Sequence, residues 1–167
     1  MNQPVSFSIE IKPGQPVHAT AVVIAERGFL FFGPSGSGKT QAALSCLADA
    51  CRRGQFAALV ADDRVMLEIV SGRVVARCPQ PISGKAEIRG SGIFDFDSRA
   101  SAVISCLIAP GQATGAQRIP DQDEQYTLQT VCLPVLRMDY KSVLRPYEIL
   151  VSAGRLADRE LNPSLLA

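Results

Sequence analysis

Residues 29–54 read FLFFGPSGSGKTQAALSCLADACRRG, and the change of pattern inside this stretch decides the fold. The opening Phe-Leu-Phe-Phe has no polar alternation, which predicts a strand buried on both faces. Glycines then punctuate a short loop, and from Lys39 the period becomes helical. Ala43, Leu44, Leu47, Ala48 and Cys51 mark the expected buried stripe, Arg52 and Arg53 fall in the last turn, and Gly54 is the expected C-cap. A buried strand, a glycine loop and an amphipathic helix in that order form a cradle for a phosphate chain.

Gly33-Pro34-Ser35-Gly36-Ser37-Gly38-Lys39-Thr40 matches G-x-x-x-x-G-K-[ST] at every position. Glycines let the backbone turn its N–H groups toward phosphate oxygens. The following helix directs its positive dipole end at the same anion. Lys39 adds a full charge, and the Thr40 hydroxyl is placed for Mg²⁺. These eight residues are therefore the expected nucleotide-binding loop.

Working outward, Val17-His18-Ala19-Thr20-Ala21-Val22-Val23-Ile24-Ala25 predicts a strand beside the loop strand, with a turn at Glu26-Arg27-Gly28. Phe56-Ala57-Ala58-Leu59-Val60-Ala61-Asp62-Asp63 predicts another buried strand, ending in two carboxylates. Parallel strands present ligand-binding groups at their carboxyl ends, so both aspartates are expected to face the phosphates if the two strands run the same way. Neighbouring strand side chains diverge, so one aspartate serves a metal while the other faces an acceptor. A carboxylate on the acceptor side suits proton removal from an alcohol. Beyond Asp63 the pattern predicts a β-hairpin about Ser71-Gly72, a strand over ASAVISCLIAP, a surface loop over GQATGAQRIPDQDEQ, a strand pair or kinked strand over YTLQTVCLPVL, and weak helical character from Tyr147 to Leu161.

The bulk properties narrow the partners. The chain has 167 residues, 47% of them hydrophobic, and a net charge of +1, so no overall field attracts nucleic acid or anionic lipid. No apolar run is long enough to span a bilayer as a helix. Five scattered cysteines without CxxC spacing read as small core residues of a protein kept in a reducing cytoplasm.

Together, His18 in VHATAV, the loop GPSGSGKT, the pair in LVADD and the segment ISGKAEIRGSGI resemble the catalytic domain of the HPr kinase/phosphorylases, with AQRIP and VCLPVL similar to later parts of that family. The resemblance covers about residues 5 to 138. It implies an α/β fold: a P-loop nucleotide-binding domain with a mixed sheet, similar to the nucleotide-binding part of phosphoenolpyruvate carboxykinase. Residues 1–167 would form a single catalytic domain of the short type. It also implies ATP and Mg²⁺ as cofactors, a homo-oligomer (a hexamer in the family), and an HPr-type phosphocarrier protein as the partner. The reaction implied is phosphorylation of a serine of HPr, and its reversal by inorganic phosphate with formation of pyrophosphate. Carried over residue by residue, Asp62 would be the proton carrier, His18 would orient it, Arg118 would reach the transferring phosphate, and Thr40, Asp63 and Glu87 would form the metal shell. Two other readings are a P-loop kinase of a small alcohol and a nucleotide-responsive binding protein without transfer activity. The first leaves EIRGSGI unexplained.

Overall fold

A computed structural model describes residues 8–79, 82–111 and 123–157. An eight-stranded mixed sheet forms its centre. Strands β1 (Ala19–Ile24), β2 (Arg27–Phe32) and β3 (Ala57–Asp62) are joined through helix α1 (Lys39–Arg52). Hairpin β4 (Met66–Val70) and β5 (Arg73–Arg77) follows, then hairpin β6 (Lys85–Ile88) and β7 (Gly92–Asp95). The chain returns to the sheet as β8 (Ser101–Pro110), β9 (Gln125–Leu128) and β10 (Val131–Met138), and α2 (Pro146–Ser152) closes the described chain. The main strand order is β3-β1-β2-β8-β10-β9, while β4 pairs with β5 and β5 with β8. A separate two-stranded sheet holds β6 and β7.

β1 is antiparallel to both β2 and β3, so β2 and β3 run the same way with β1 between them. Strand β8 is parallel to β2, and β10 is parallel to β8. Four strands therefore end at one edge of the sheet, and His18, just before β1, lies at that edge too.

The continuous apolar run of β2 is explained by two cores. Phe29 and Phe31 face α1 with Val22 and Ile24, whereas Leu30 faces the other side with Ala21, Val23, Leu67, Val74 and Leu107. The helix buries Ala42, Ala43, Cys46, Leu47 and Ala50. The expected stripe was thus rotated: Ala48 and Cys51 are exposed, because the small residues Ala42 and Ala50 let the helix lie close on the sheet. The helix ends at Gly54 in the left-handed region (φ 69°), with Gln55 N–H donating to Ala50 O and Gly54 N–H to Cys51 O, a Schellman closure.

Ser71 and Gly72 both have positive φ (50° and 71°), as a two-residue type I′ hairpin requires. The YTLQTVCLPVL segment is a strand pair, β9 and β10, rather than one kinked strand. Of the helical character expected from Tyr147 to Leu161, the helix ends at Ser152, and residues 158–161 lie outside the described residues. Its Tyr147 and Leu150 are fully buried, and the Tyr147 hydroxyl donates to Gln55 Oε1 at 2.7 Å. Only Cys46 and Cys106 behave as core cysteines; Cys78 is half-buried, and Cys51 and Cys132 are exposed. Burial pushes the Cys106 thiol up to about 11. No described helix is long and apolar enough to cross a membrane.

Candidate active site

The Gly33–Thr40 loop leaves β2 and turns into α1 through residues that a side chain would strain. Gly36 (φ 76°) and Gly38 (φ 96°) occupy the left-handed region, and Gly38 is the N-cap of α1 without a side-chain cap. The first-turn N–H groups of the helix are thus left for an external acceptor. Tyr140 braces the loop from below: its hydroxyl lies 2.7 Å from Phe32 O and 2.8 Å from Ile108 O, at the ends of β2 and β8.

Lys39 is 5% exposed, and burial lowers its pKa from the ordinary lysine value, offset in part by Asp63 and Asp62 and reinforced by Arg89. Its ammonium donates to His18 Nε2 at 2.8 Å, while His18 Nδ1 lies 2.7 Å from Asp63 Oδ1. With Lys39 charged, both contacts are hydrogen bonds only if Nδ1 carries the imidazole proton. The result is a chain of hydrogen bonds in which Lys39 donates to His18 and His18 donates to Asp63.

Asp62 has a different environment. It is 6% exposed, and its Oδ1 accepts from the Thr20 hydroxyl at 2.7 Å and from the Thr40 hydroxyl at 2.8 Å. Its Oδ2 accepts from Glu87 N–H at 3.2 Å. The Asp63 side chain, by contrast, is 64% exposed. Backbone geometry separates the two. Asp63 is one of few described non-glycine residues with positive φ (64°), and Arg64 N–H bonds to Asp62 O at 2.7 Å across it. This three-residue turn costs about 1–3 kcal/mol of local strain. The paired Val17–Val65 bridge directly beyond, with bonds of 2.7 and 2.9 Å, holds it against His18.

The expected contact between His18 and Asp62 is therefore corrected: His18 bonds Asp63, and it is Asp62 that joins Thr40. The strained turn rotates the second carboxylate toward His18 and leaves the first pointing under the loop. Glu87 lines the same cleft, reached through its backbone bond to Asp62. Arg118 lies outside the described residues.

Two contributors were not singled out from the sequence. Thr20, fully buried, shares a strand face with His18 two residues earlier, and a hydroxyl at that parity in an apolar strand was the available signal. Arg89 reaches back over the loop, donating to Ser35 Oγ at 2.6 Å. It does so because EIRGSGI is a hairpin: Glu87 pairs with Ile93 and Ile88 with Gly92, with Arg89 at the turn. The hairpin is fastened to the edge of β3, where Leu59 N–H bonds Asp97 O at 2.8 Å and Arg99 N–H bonds Leu59 O at 2.9 Å.

A Mg²⁺ ion fits the oxygen chemistry at Thr40 and Asp62. Among the described residues no group of three or more His, Cys, Asp or Glu side chains could hold a metal alone. Magnesium in phosphoryl-transfer sites takes one or two protein oxygens and completes its shell with phosphate and water, so the sparse set suits it. The cleft thus sets two cations, Lys39 and Arg89, around a space of about 230 Å³ facing an exposed carboxylate. That arrangement can hold a phosphate chain and remove a proton beside it.

Comparison with known proteins places the chain among relatives. The chain is 35% identical to an HPr kinase/phosphorylase of Clostridium tetani over 89 residues, 53% of this chain and 27% of that one. It is 28% identical to an HPr kinase/phosphorylase of Bordetella petrii over 154 residues, 87% of this chain and 46% of the relative. The chain therefore spans between about a quarter and a half of the length of these curated relatives. The fold is similar to that of the HPr(Ser) kinase/phosphatase of Coxiella burnetii, with a TM-score of 0.65, 21% identity, and coverage of 84% of this chain and 88% of that one. Residues 10–102, which carry His18, the glycine loop, both aspartates and Glu87, match the model of the HPr serine kinase C-terminal domain, and the chain belongs to that family.

Proposed function

We propose that this chain transfers the γ-phosphoryl group of ATP to a serine hydroxyl of an HPr-type phosphocarrier protein, and removes it again by phosphorolysis. The observation that carries this reading is the pairing of an exposed, His18-oriented Asp63 with a Lys39-bearing glycine loop. In this reading the loop is a P-loop, in a domain similar to the nucleotide-binding part of phosphoenolpyruvate carboxykinase.

Geometry favours an exchange of roles between the aspartates. Asp63, exposed and held by His18, takes the proton of the attacking serine as the new O–P bond forms and the bond to ADP breaks. In reverse, an oxygen of inorganic phosphate attacks the phosphoserine phosphorus, pyrophosphate forms, and Asp63 returns the proton to serine, as microscopic reversibility requires. Thr40 and Asp62 would hold Mg²⁺, with Glu87 at the margin; the ion supplies charge neutralisation at the phosphates. Lys39 leaves His18 for the phosphate chain when ATP enters, and Arg89 faces the same space. Arg118 is a further candidate for the transferring phosphate, and a homo-oligomer remains the expected assembly.

The test is labelled phosphotransfer with purified protein, HPr, and phosphoserine-HPr plus phosphate. Asp63→Asn is expected to lose about 100-fold or more in both directions while still binding ATP. Asp62→Asn is expected to raise the Mg²⁺ requirement instead. Label appearing only on water or a small alcohol would overturn the protein-kinase reading. An Asp63→Asn variant that keeps full transfer would return the proton to Asp62.

A further inference from the structure

We infer that the free edge of β4 docks an extended segment of another protein, added to the sheet as an antiparallel strand. This edge shares no lining residue with the glycine-loop cleft and is independent of the phosphate-transfer reading.

The β4–β5 turn fixes which backbone groups are open. A two-residue hairpin makes Val70 and Arg73 a hydrogen-bonded pair, so the bonds recur at Glu68–Val75 and Met66–Arg77. The N–H and C=O groups of Leu67 and Ile69 therefore point away from β5. The bond from Cys78 N–H to Ala100 O shows the same alternation on the other side of β5. Val65, on the open side with Leu67 and Ile69, is met by Val17 through bonds of 2.7 and 2.9 Å. Continued antiparallel along β4, that lane would set Gln15 opposite Leu67 and Pro13 opposite Ile69. The chain leaves the lane instead. Lys12-Pro13-Gly14-Gln15 is a β-turn, with Gly14 at φ 72° and Gln15 N–H bonded to Lys12 O at 3.1 Å. Among the described residues β4 has β5 as its only strand partner, so a short sheet edge is left with unpaired donors and acceptors.

That edge opens on a cavity of about 530 Å³ with two unlike sides. Ile11, Ile69 and Cys78 pack with Leu67 against the core, whereas Glu68 and Arg77 lie on the outer face. An added strand sends alternate side chains to the two sides. The residues opposite Leu67 and Ile69 meet the apolar side, and the one between them lies opposite Glu68. Arg77 Nε donates to Glu68 Oε1, and no described residue engages Glu68 Oε2. A cation opposite Glu68 is therefore favoured, and the segment that fits reads apolar, basic, apolar. A second copy of the chain suits the edge poorly. The antiparallel register that pairs Leu67 and Ile69 of both copies sets Glu68 directly opposite Glu68, where like charges repel.

The test follows the backbone amides of the isotope-labelled chain by NMR during titration with acetyl-Thr-X-Lys-X-Thr-amide, X being Val, Ile, Leu or Phe. The Leu67 and Ile69 amides are expected to shift and to exchange with solvent more slowly once a peptide binds. N-methylation of both X residues is expected to weaken binding about tenfold. Glu68→Gln is expected to weaken it about threefold and to leave a peptide with Thr in place of Lys unaffected. Equal binding of the N-methylated peptide, shifts confined to other amides, or no shift up to about 1 mM peptide would overturn the docking edge. Slowed exchange that appears with rising protein concentration alone would overturn the foreign partner in favour of a second copy.

Discussion

The loop that starts α1 and the β6–β7 hairpin face each other across one cleft, yet they are held in place by different means. The loop is set by the core: β2 and α1 bury Phe29, Phe31, Ala43 and Leu47 on either side of it, and Tyr140 braces it from beneath. The hairpin is a two-stranded sheet of its own, with Ile93 69% and Phe94 44% exposed. It is attached through the backbone bonds at Leu59, the Glu87 N–H to Asp62 and the Arg89 guanidinium to Ser35. An isolated hairpin of this kind is marginal in water, so its position depends on those polar contacts together with Ala86, which is 2% exposed and packs into the core beneath α1. The loop is thus built into the core, whereas Glu87 and Arg89 ride on an element that enters the core through Ala86 and is otherwise fixed by contacts made within the cleft.

The strongest way to break this comparison is Lys39→Met. Loss of the charge at the loop is expected to weaken ATP binding by about 100-fold, the upper range for a charge-assisted bond, without unfolding the protein. Burial already disfavours the charged form of Lys39. Between that lowered pKa and the ordinary lysine value the unfolded chain binds more protons than the folded one, so stability of the free protein rises with pH in that window. ATP affinity should fall in the same window as the ammonium is lost. Titrations of both across alkaline pH, absent in Lys39→Met, are the check; parallel pH curves for the two proteins would remove Lys39 from the phosphate site.

Gly28→Ala attacks the core side of the comparison. An added Cβ would lie 2.3 Å from Val103 O in the neighbouring β8. Overpacking of this kind costs about 1–3 kcal/mol, and at this size each kcal/mol lowers Tm by about 2–4 °C. A thermal melt that does not move would show that β2 and β8 can part at this point without loss.

Much of the loop side was legible because its signals are local. Eight consecutive residues specify the turn, and the helix begins and ends within one continuous stretch, although choosing the larger apolar residues rotated its buried stripe. The difference in surroundings between Asp62, buried under the loop, and Asp63, exposed beside His18, was not legible. It depends on the positive φ of Asp63, a conformation that an aspartate tolerates but no spacing announces. The β6–β7 hairpin escaped for another reason: short strands around Gly90 and Gly92, with few inward apolar residues, look like loop until Glu87 is seen paired with Ile93. Arg89 went with it, since only that pairing returns its side chain to the loop.

The hairpin side is sharpened by Arg89→Ala. Removing the guanidinium takes away one bond to Ser35 and one cation from the cleft, and turnover is expected to fall about tenfold, with ATP affinity changed less than by Lys39→Met. Steady-state kinetics with ATP varied would separate the two; a loss confined to ATP affinity would make Arg89 part of the cradle instead. The smallest effect is expected at Ile93→Ser on the outer face. Stability should stay within about 0.5 kcal/mol by urea titration, and a larger loss would show that this face is packed against something.

The pairing of Gly28 with Ile104 and of Phe31 with Ile108 sets an order on biosynthesis. As the chain leaves the ribosome, β1 and β2 emerge early and can pair at once, but the strand that leads into the glycine loop still has an open edge. Its other neighbour, β8, is made only after α1, β3 and two hairpins have emerged, and closing so long an intervening segment is entropically costly and slow. Tyr140, which ties the ends of β2 and β8 together, comes later again. The earlier-made part of the glycine-loop cleft is therefore among the last to be finished, and a nascent chain carries the complete glycine signature well before the cleft around it has closed.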